Sequence, residues 1–349
     1  MKKILKSLGI ILGFIIVSVV LFFFFIWLTE FRPEQKEDVA FETSDREFEG
    51  SSFEIMTLNT GYAGLGDDMD FFMDGGSGVN PESLKKVKEN IDGINSMLSV
   101  YEPDFYFLQE VDKDSLRSYH VDETIDFKPE YEGRAYAQNF VCNWVPFPLP
   151  MIGKVDSGIE TLSKHRITFA ERISLPNSTS WPASMFNLKR CLLVTRIPIK
   201  NSDKELVLVN FHLDAYNDNE IKTEQTKVIM DVLKTEYEKG NYVLAGGDFN
   251  QSFPGTENAF PYYDSEEIWH PGKLESSMLP EGFTFVCDPS VPSCRSLDKP
   301  FSGMDGHQVY CIDGFILSPN LELDSIKTLE NSFKYTDHNP VFMRVLLRP

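Results

Sequence analysis

Solid apolar runs, each closed by polar residues or glycine, recur along the chain from residue 53 onward: FEIMTLN (53–59), DFYFLQEV (104–111), ELVLVNFHLDA (205–215), YVLAGGDFN (242–250), VYCIDGFILS (309–318) and TDHNPVFMRVLL (336–347). Runs of this length, rich in β-branched and aromatic residues, predict buried strands. SGIETLSKHRI and KRCLLVTRIPI read as two more strands within a proline-interrupted middle region, 131–200. Two stretches carry the 3.6-residue period instead. Residues 82–100 place Leu84, Val87, Ile91, Ile94 and Leu98 on one face, and 220–238 do the same with Ile221, Val228, Ile229 and Leu233. Strands interleaved with amphipathic helices, and no internal repeat, predict a layered α/β domain over 51–349.

The N-terminus follows another pattern. Residues 7–28, SLGIILGFIIVSVVLFFFFIWL, hold no charge. As a helix they would be about 33 Å long at 1.5 Å per residue, enough to cross a bilayer core. Lys2, Lys3 and Lys6 precede the run and Glu30 follows it, which predicts a cytoplasmic N-terminus and an extracytoplasmic domain. FFFFIWLTE offers no small-residue cleavage site, so residues 1–28 read as an uncleaved anchor, with a signal peptide as the alternative. Polar residues 29–50 read as a tether.

Charge and cysteines narrow the picture. The chain of 349 residues carries −20; less the three lysines before the span, the remainder carries −23. Such a surface repels nucleic acid unless a cation intervenes. Of five cysteines, Cys287 and Cys294 bracket the turn-rich DPSVPS and are the expected disulfide pair in an exported domain. No Cys/His spacing suits zinc.

The strand tips carry the chemistry. The runs end at Asn59, at Gln109 and Glu110, at Asn210 and His212, at Asp248 and Asn250, and at Asp313, and Asp337 and His338 precede the last run. Strand ends on one edge of a layered α/β fold converge, and that edge is where sites form. Carboxylates and amides without thiolate are a hard oxygen set suited to Mg²⁺, Mn²⁺ or Ca²⁺. With histidines beside them, and neither G-x-S-x-G nor a Walker loop in the chain, metal-assisted hydrolysis of a phosphate ester is the reaction they fit.

TLNT, LQEVD, NFHLDA, GGDFN, IDGFILS and TDHNPV, in this order, resemble the signatures of the endonuclease/exonuclease/phosphatase superfamily, which includes deoxyribonucleases, inositol-polyphosphate phosphatases and bacterial sphingomyelinases. The resemblance implies a four-layer α/β sandwich of two central mixed sheets flanked by helices, and Mg²⁺ or Mn²⁺ as cofactor. It implies Glu110 as the principal metal carboxylate with Asn59 beside it and Asp337 near the ion. Asp248 and Asn250 would orient the attacking water, His338 paired with Asp313 would meet the phosphate, and His212 would contact phosphate or donate a proton. Glu160 stands where the family has an apolar residue, as a partner of His212 or a surface group. Arg166, Arg190 and Arg295, and Lys164, are basic candidates for the phosphate, each more readily read as a surface ion pair with one of the many carboxylates.

The expected function is therefore a membrane-anchored phosphodiesterase acting on a lipid headgroup or small phosphodiester. A surface endonuclease and a catalytically inactive binding module are the alternatives.

Overall fold

The computed structural model describes residues 2–177, 179–216, 219–263 and 268–348. A helix, α1 (Lys2–Leu28), precedes two seven-stranded sheets. The strands are β1 (Lys36–Asp38), β2 (Phe41–Glu42), β3 (Ser52–Asn59), β4 (Phe105–Asp112), β5 (Gly133–Val145), β6 (Gly153–Ser163), β7 (Phe169–Ser174), β8 (Cys191–Pro198), β9 (Glu205–His212), β10 (Tyr242–Asp248), β11 (Thr284–Val286), β12 (Asp313–Leu317), β13 (Leu321–Thr328) and β14 (Val341–Leu347). One sheet runs β1-β7-β8-β9-β10-β12-β11 and the other β13-β14-β3-β4-β6-β5-β2. Both are mixed, with β9 parallel to β10 and β3 parallel to β4. Helix α2 (Leu84–Leu98) covers the second sheet and α3 (Asn219–Glu238) the first. The sequence expectation of a four-layer sandwich holds.

Alternation along each strand builds the layers. In β3, Phe53 and Ile55 face the other sheet while Met56 and Leu58 face α2. In β9, Leu206 and Leu208 face between the sheets, and Val207, Val209 and Phe211 pack toward α3. In β10 Leu244, and in β12 Phe315 and Leu317, join the same inter-sheet layer. Ser83 caps α2 by accepting a hydrogen bond from the Lys86 N–H, and Val87, Ile91, Ile94 and Leu98 are buried as their spacing predicts. Leu84, expected on that face, is 40% exposed in the helix's first turn.

Residues 29–50 are not a loose tether. β1 pairs antiparallel with β7, β2 with β5, and Phe48 is 2% exposed between the sheets with its ring against Phe53 and His165. The polar composition misled because these are edge strands, which show most of their side chains to solvent. Phe48→Ala should lower unfolding stability by about 3–5 kcal/mol, in the range of large-to-small core changes, as read by urea denaturation of the detergent-solubilised chain. A linker residue would shift it by less than about 0.5 kcal/mol.

Candidate active site

The inter-sheet parity continues past the last apolar residue of each strand. Asn59 follows Phe53 and Ile55 on the same face of β3, His212 follows Leu208 and Asn210 on β9, Asp248 follows Leu244 on β10, and Asp313 precedes Phe315 on β12. Asp248 lies opposite His212 on one side and Asp313 on the other. Glu110 breaks this parity. Strict alternation would send it toward α2 with Tyr106 and Leu108. A bulge in the β4–β6 pairing between Leu108 and Val111, with φ of 54° at Glu110, turns it to the common edge instead. The GGDFN tip has its own steric logic. A Cβ on Gly247, whose φ is 139°, would stand 2.0 Å from the Phe211 carbonyl oxygen, and one on Gly246 would stand 2.3 Å from the Phe315 ring. Asn250 adopts a left-handed φ of 49°.

The side chains meet in one buried group. Asn59 Nδ2 donates to Glu110 Oε1 (3.1 Å) and to Asp248 Oδ2 (3.0 Å), while its own oxygen accepts from the Gly61 N–H. Asn59, expected at the metal, thus bridges two carboxylates as a donor. Asp313 Oδ2 lies 2.8 Å from His338 Nδ1. His338 Nε2 is 3.7 Å from Asp248 Oδ2 and 3.9 Å from Asp337 Oδ2. His212 Nε2 is 3.4 Å from Asp248 Oδ2, with its Nδ1 3.9 Å from Glu110 Oε1. Asn250 donates to the Leu213 carbonyl, and its N–H binds Asp248 Oδ1. Behind the group, Gln109 donates to Asn210, which donates to the Leu108 and Glu160 carbonyls and ties the two sheets together.

Burial sets the electrostatics. It raises the carboxyl pKa of Glu110, with the charge of Asp337 adding to it, and raises that of Asp337 itself. Asp248 is pushed up to about 7 by burial and by Asp313. Burial opposes charge on both histidines, but only in His338 is it outweighed. The Asp313 carboxylate holds His338 well above its ordinary value, whereas burial with Arg190 and His338 nearby holds His212 well below. The group is thus rich in carboxylate and poor in cations. Ligand atoms of Asp248, Asp313 and His338, and of Cys294, Asp337 and His338, lie within 4.8 Å of one another. Asp313 Oδ1 and His212 Nδ1 are buried without a hydrogen-bond partner. An excess of buried oxygen donors with orphaned atoms among them fits a hard divalent cation.

The group lies in a cleft of about 630 Å³. One wall is apolar, formed by Phe71, Phe72, Phe140, Val145, Phe147 and Phe186. Arg117 and Arg190 also face it. Arg117 binds Asp112 through both Nε (3.0 Å) and Nη2 (2.9 Å) with its guanidinium 3.7 Å over the Tyr62 ring. Arg190 donates to the His212 carbonyl.

No protein-family model and no curated protein matches this sequence. The fold is similar to solved structures. One is an endonuclease/exonuclease/phosphatase from Beutenbergia cavernae DSM 12333, with TM-score 0.59 and 17% identity over 85% of this chain and 72% of that one. Another is ANGEL2, a 2′,3′-cyclic phosphatase, in complex with adenosine-2′,3′-vanadate, with TM-score 0.55 and 13% identity over 90% and 99%. A third is D. rerio TDP2 complexed with single-strand DNA product, with TM-score 0.52 and 16% identity over 85% and 99%. The chain has the endonuclease/exonuclease/phosphatase fold.

Within that fold, four sequence expectations land elsewhere. Arg166 lies away from the cleft, among Asp45, Glu47 and Glu49, because its strand segment runs to the opposite end of the sheet. Lys164 likewise lies away from it and donates to the Glu102 carbonyl. Arg295 lines the cleft, but its Nη2 grips the carbonyls of Gly66 (2.7 Å) and Met69 (3.0 Å), so it pins the 65–70 loop. Glu160 does not touch His212; it pairs with Arg134 at 3.2 Å, and burial pushes its carboxyl up to about 8.

The Cys287–Cys294 disulfide does not form either, and the described cysteines are free. A two-residue ladder with Val309–Tyr310 carries Cys294 to the site beside His338, while Cys287 meets Cys311. Sequence reasoning missed Arg117, which lies in a loop of ordinary composition; Asp74, in the cleft, accepts a hydrogen bond from the Tyr216 hydroxyl.

Burial raises the Asp74 carboxyl to about 7 despite that bond. Between its unfolded value near 4 and about 7, the folded chain keeps a proton that the unfolded chain has lost, so stability falls as pH rises through that window. Asp74→Asn should remove this component. The wild-type urea midpoint should fall relative to that of the variant from pH 4 to 7, with a constant difference above.

Proposed function

We propose that the chain is a membrane-anchored, divalent-metal-dependent phosphoesterase, acting as a phosphodiesterase on a lipid headgroup or small phosphodiester. The observation that carries this reading is the convergence of Glu110, Asp248, Asp313 and Asp337 with His212 and His338 at the base of one cleft. Glu110 and Asp337 would hold Mg²⁺ or Mn²⁺, which supplies Lewis-acid stabilisation of charge on the phosphate oxygens.

The chain's own groups do the rest. Asp248, braced by Asn59 and by the Asn250 N–H, orients the attacking water. The water oxygen bonds to phosphorus, the bond to the leaving-group oxygen breaks, and a proton from that water ends on the leaving-group oxygen. Asp248 Oδ2 and His338 Nε2 stand 3.7 Å apart, a spacing that lets the pair take the proton at one side of the phosphate and deliver one at the other. Asp313 fixes the His338 ring through Nδ1.

α1 reads as the anchor. It is 27 residues long with mean hydropathy 3.1 over its apolar window, and only 6% of that window is buried. The lysines before it support a cytoplasmic N-terminus and a domain outside. The net charge and the aromatic cleft wall count against a long nucleic acid, which needs a basic track. TDP2 with its DNA product shares the fold and keeps an endonuclease as the second reading. An inactive module is disfavoured because Asn59, Glu110, His212, Asp248, Asn250, Asp313, Asp337 and His338 are all present.

In detergent, the full chain should hydrolyse bis(p-nitrophenyl) phosphate with added Mg²⁺ or Mn²⁺ and stop with chelator. Glu110→Gln and His338→Ala should each cut kcat by about 10²-fold or more while leaving the fold intact by circular dichroism. Hydrolysis indifferent to chelator and to both substitutions would sink the proposal.

A further inference from the structure

The C-terminal end of α1 is seated on the wall of the cleft. Ile26 is 1% exposed, packed with Phe140, Val145, Val155 and Met185. Phe22 stacks on Phe186 with ring centroids 6.3 Å apart, and Phe23 meets the same ring edge-on at 5.9 Å. Phe140, Val145 and Phe186 are also wall residues of the cleft. Polar contacts close the joint just beyond the helix. Lys189 Nζ lies 3.4 Å from Glu30, and Arg32 donates to the Trp27 carbonyl with its guanidinium 5.3 Å from the Trp27 ring. One set of side chains therefore holds both the helix and the site's apolar wall.

This seat fixes a depth. Phe22 lies six residues before the end of α1, about 9 Å along the axis. Whatever packs beside Phe22 lies well below the level at which the helix leaves the apolar layer. The surface beside the seat is apolar and exposed: Trp144 40% at the end of β5, Phe147 69%, Leu149 78% and Met151 40% in the loop that follows it, and Trp181 68% in the loop before β8. Phe147 closes the set against the cleft, its ring edge-on to Phe72 at 6.2 Å. Trp and Phe bordering an apolar surface at this depth match the headgroup–acyl boundary. No attraction to anionic lipid is needed, and at −23 little is available.

We infer that segment 144–151 and Trp181 are immersed in the bilayer that α1 spans, and that the cleft takes its phosphate ester from a lipid of that same leaflet. The headgroup phosphate reaches the acidic group while the lipid's apolar portion lies along Phe140, Phe147 and Phe186. This inference rests on the phosphoesterase reading for its chemistry, but the immersion stands on packing alone.

The test uses the full chain in phosphatidylcholine nanodiscs. Doxyl-labelled lipid should quench tryptophan emission, and Trp144→Phe with Trp181→Phe should remove most of that quenching beyond the share from Trp27. Leu149→Asp and Trp181→Asp should lower release of headgroup from nanodisc lipid at least 10-fold and leave hydrolysis of bis(p-nitrophenyl) phosphate unchanged. Free glycerophosphocholine, which has the same headgroup without a membrane, should be turned over at least 10-fold more slowly than the lipid.

Absence of lipid quenching at Trp144 and Trp181 overturns the immersion. Shielding of those residues from acrylamide without lipid quenching would assign the surface to a protein partner and overturns it equally. Quenching with turnover of the soluble diester but none of the lipid overturns the lipid substrate. Quenching with no turnover of either probe overturns the phosphoesterase reading and leaves the immersed surface standing.

Discussion

Two sheets can share one dry interface only if every strand keeps its apolar set on the inner face along its whole length. That demand fixes the parity of β3, β9, β10 and β12, through Phe53 and Ile55, Leu206 and Leu208, Leu244, and Phe315 and Leu317. A slip of one residue in any strand would expose that set. It would also turn the strand's terminal polar residue away from the common edge. The active-site geometry is therefore a continuation of the core register. Asn59, His212, Asp248 and Asp313 meet because the residues two, four and six positions away must be buried together.

The departures from this register lie at the site. Glu110 reaches it only through a bulge and a left-handed backbone, and Asn250 also takes positive φ. Such conformations are costly for non-glycine residues and persist where surrounding structure over-determines them. Here the over-determination is visible. Gly247 leaves no room for a side chain against the Phe211 carbonyl, and Asn59 holds Glu110 and Asp248 at once. Beyond what burial does, the charge of Asp337 raises the proton affinity of Glu110, and that of Asp313 raises the proton affinity of Asp248. A cation answers that imbalance more completely than Arg117, which is committed to Asp112.

The layers and most of the acidic group were legible because buried strands write themselves as unbroken apolar runs with informative ends. What was illegible has physical causes. β1, β2 and β13 are edge strands whose side chains mostly meet water, so they read as linker or loop, and β13 alternates too weakly to announce itself. Phe48 carried no pattern around it, though it is part of the inter-sheet core. Cys294 was paired by chain proximity with Cys287, whereas a two-residue ladder and an isolated bridge to His338 decide where it goes. The arginines divide by the backbone around them. Nothing in residue type separates Arg190, against the His212 carbonyl, from Arg166 at the far end or Arg295 locked onto loop carbonyls.

The seat of α1 turns on the difference between a tether and a joint. A flexible linker would leave the cleft free to face any direction, and the domain's strong negative charge would favour orientations away from anionic headgroups. Ile26 packs closely against Phe140, Val145, Val155 and Met185, and the Phe22 and Phe23 contacts with Phe186 add to that packing. Against the small entropy gained by swinging on a short segment, that is enough to hold one orientation. The residues between helix and sheets are consumed as β1 and β2, which leaves little slack to swing on. Packing then decides what charge would oppose. The same phenylalanines hold α1 and form the cleft wall, so seat and wall cannot be altered independently.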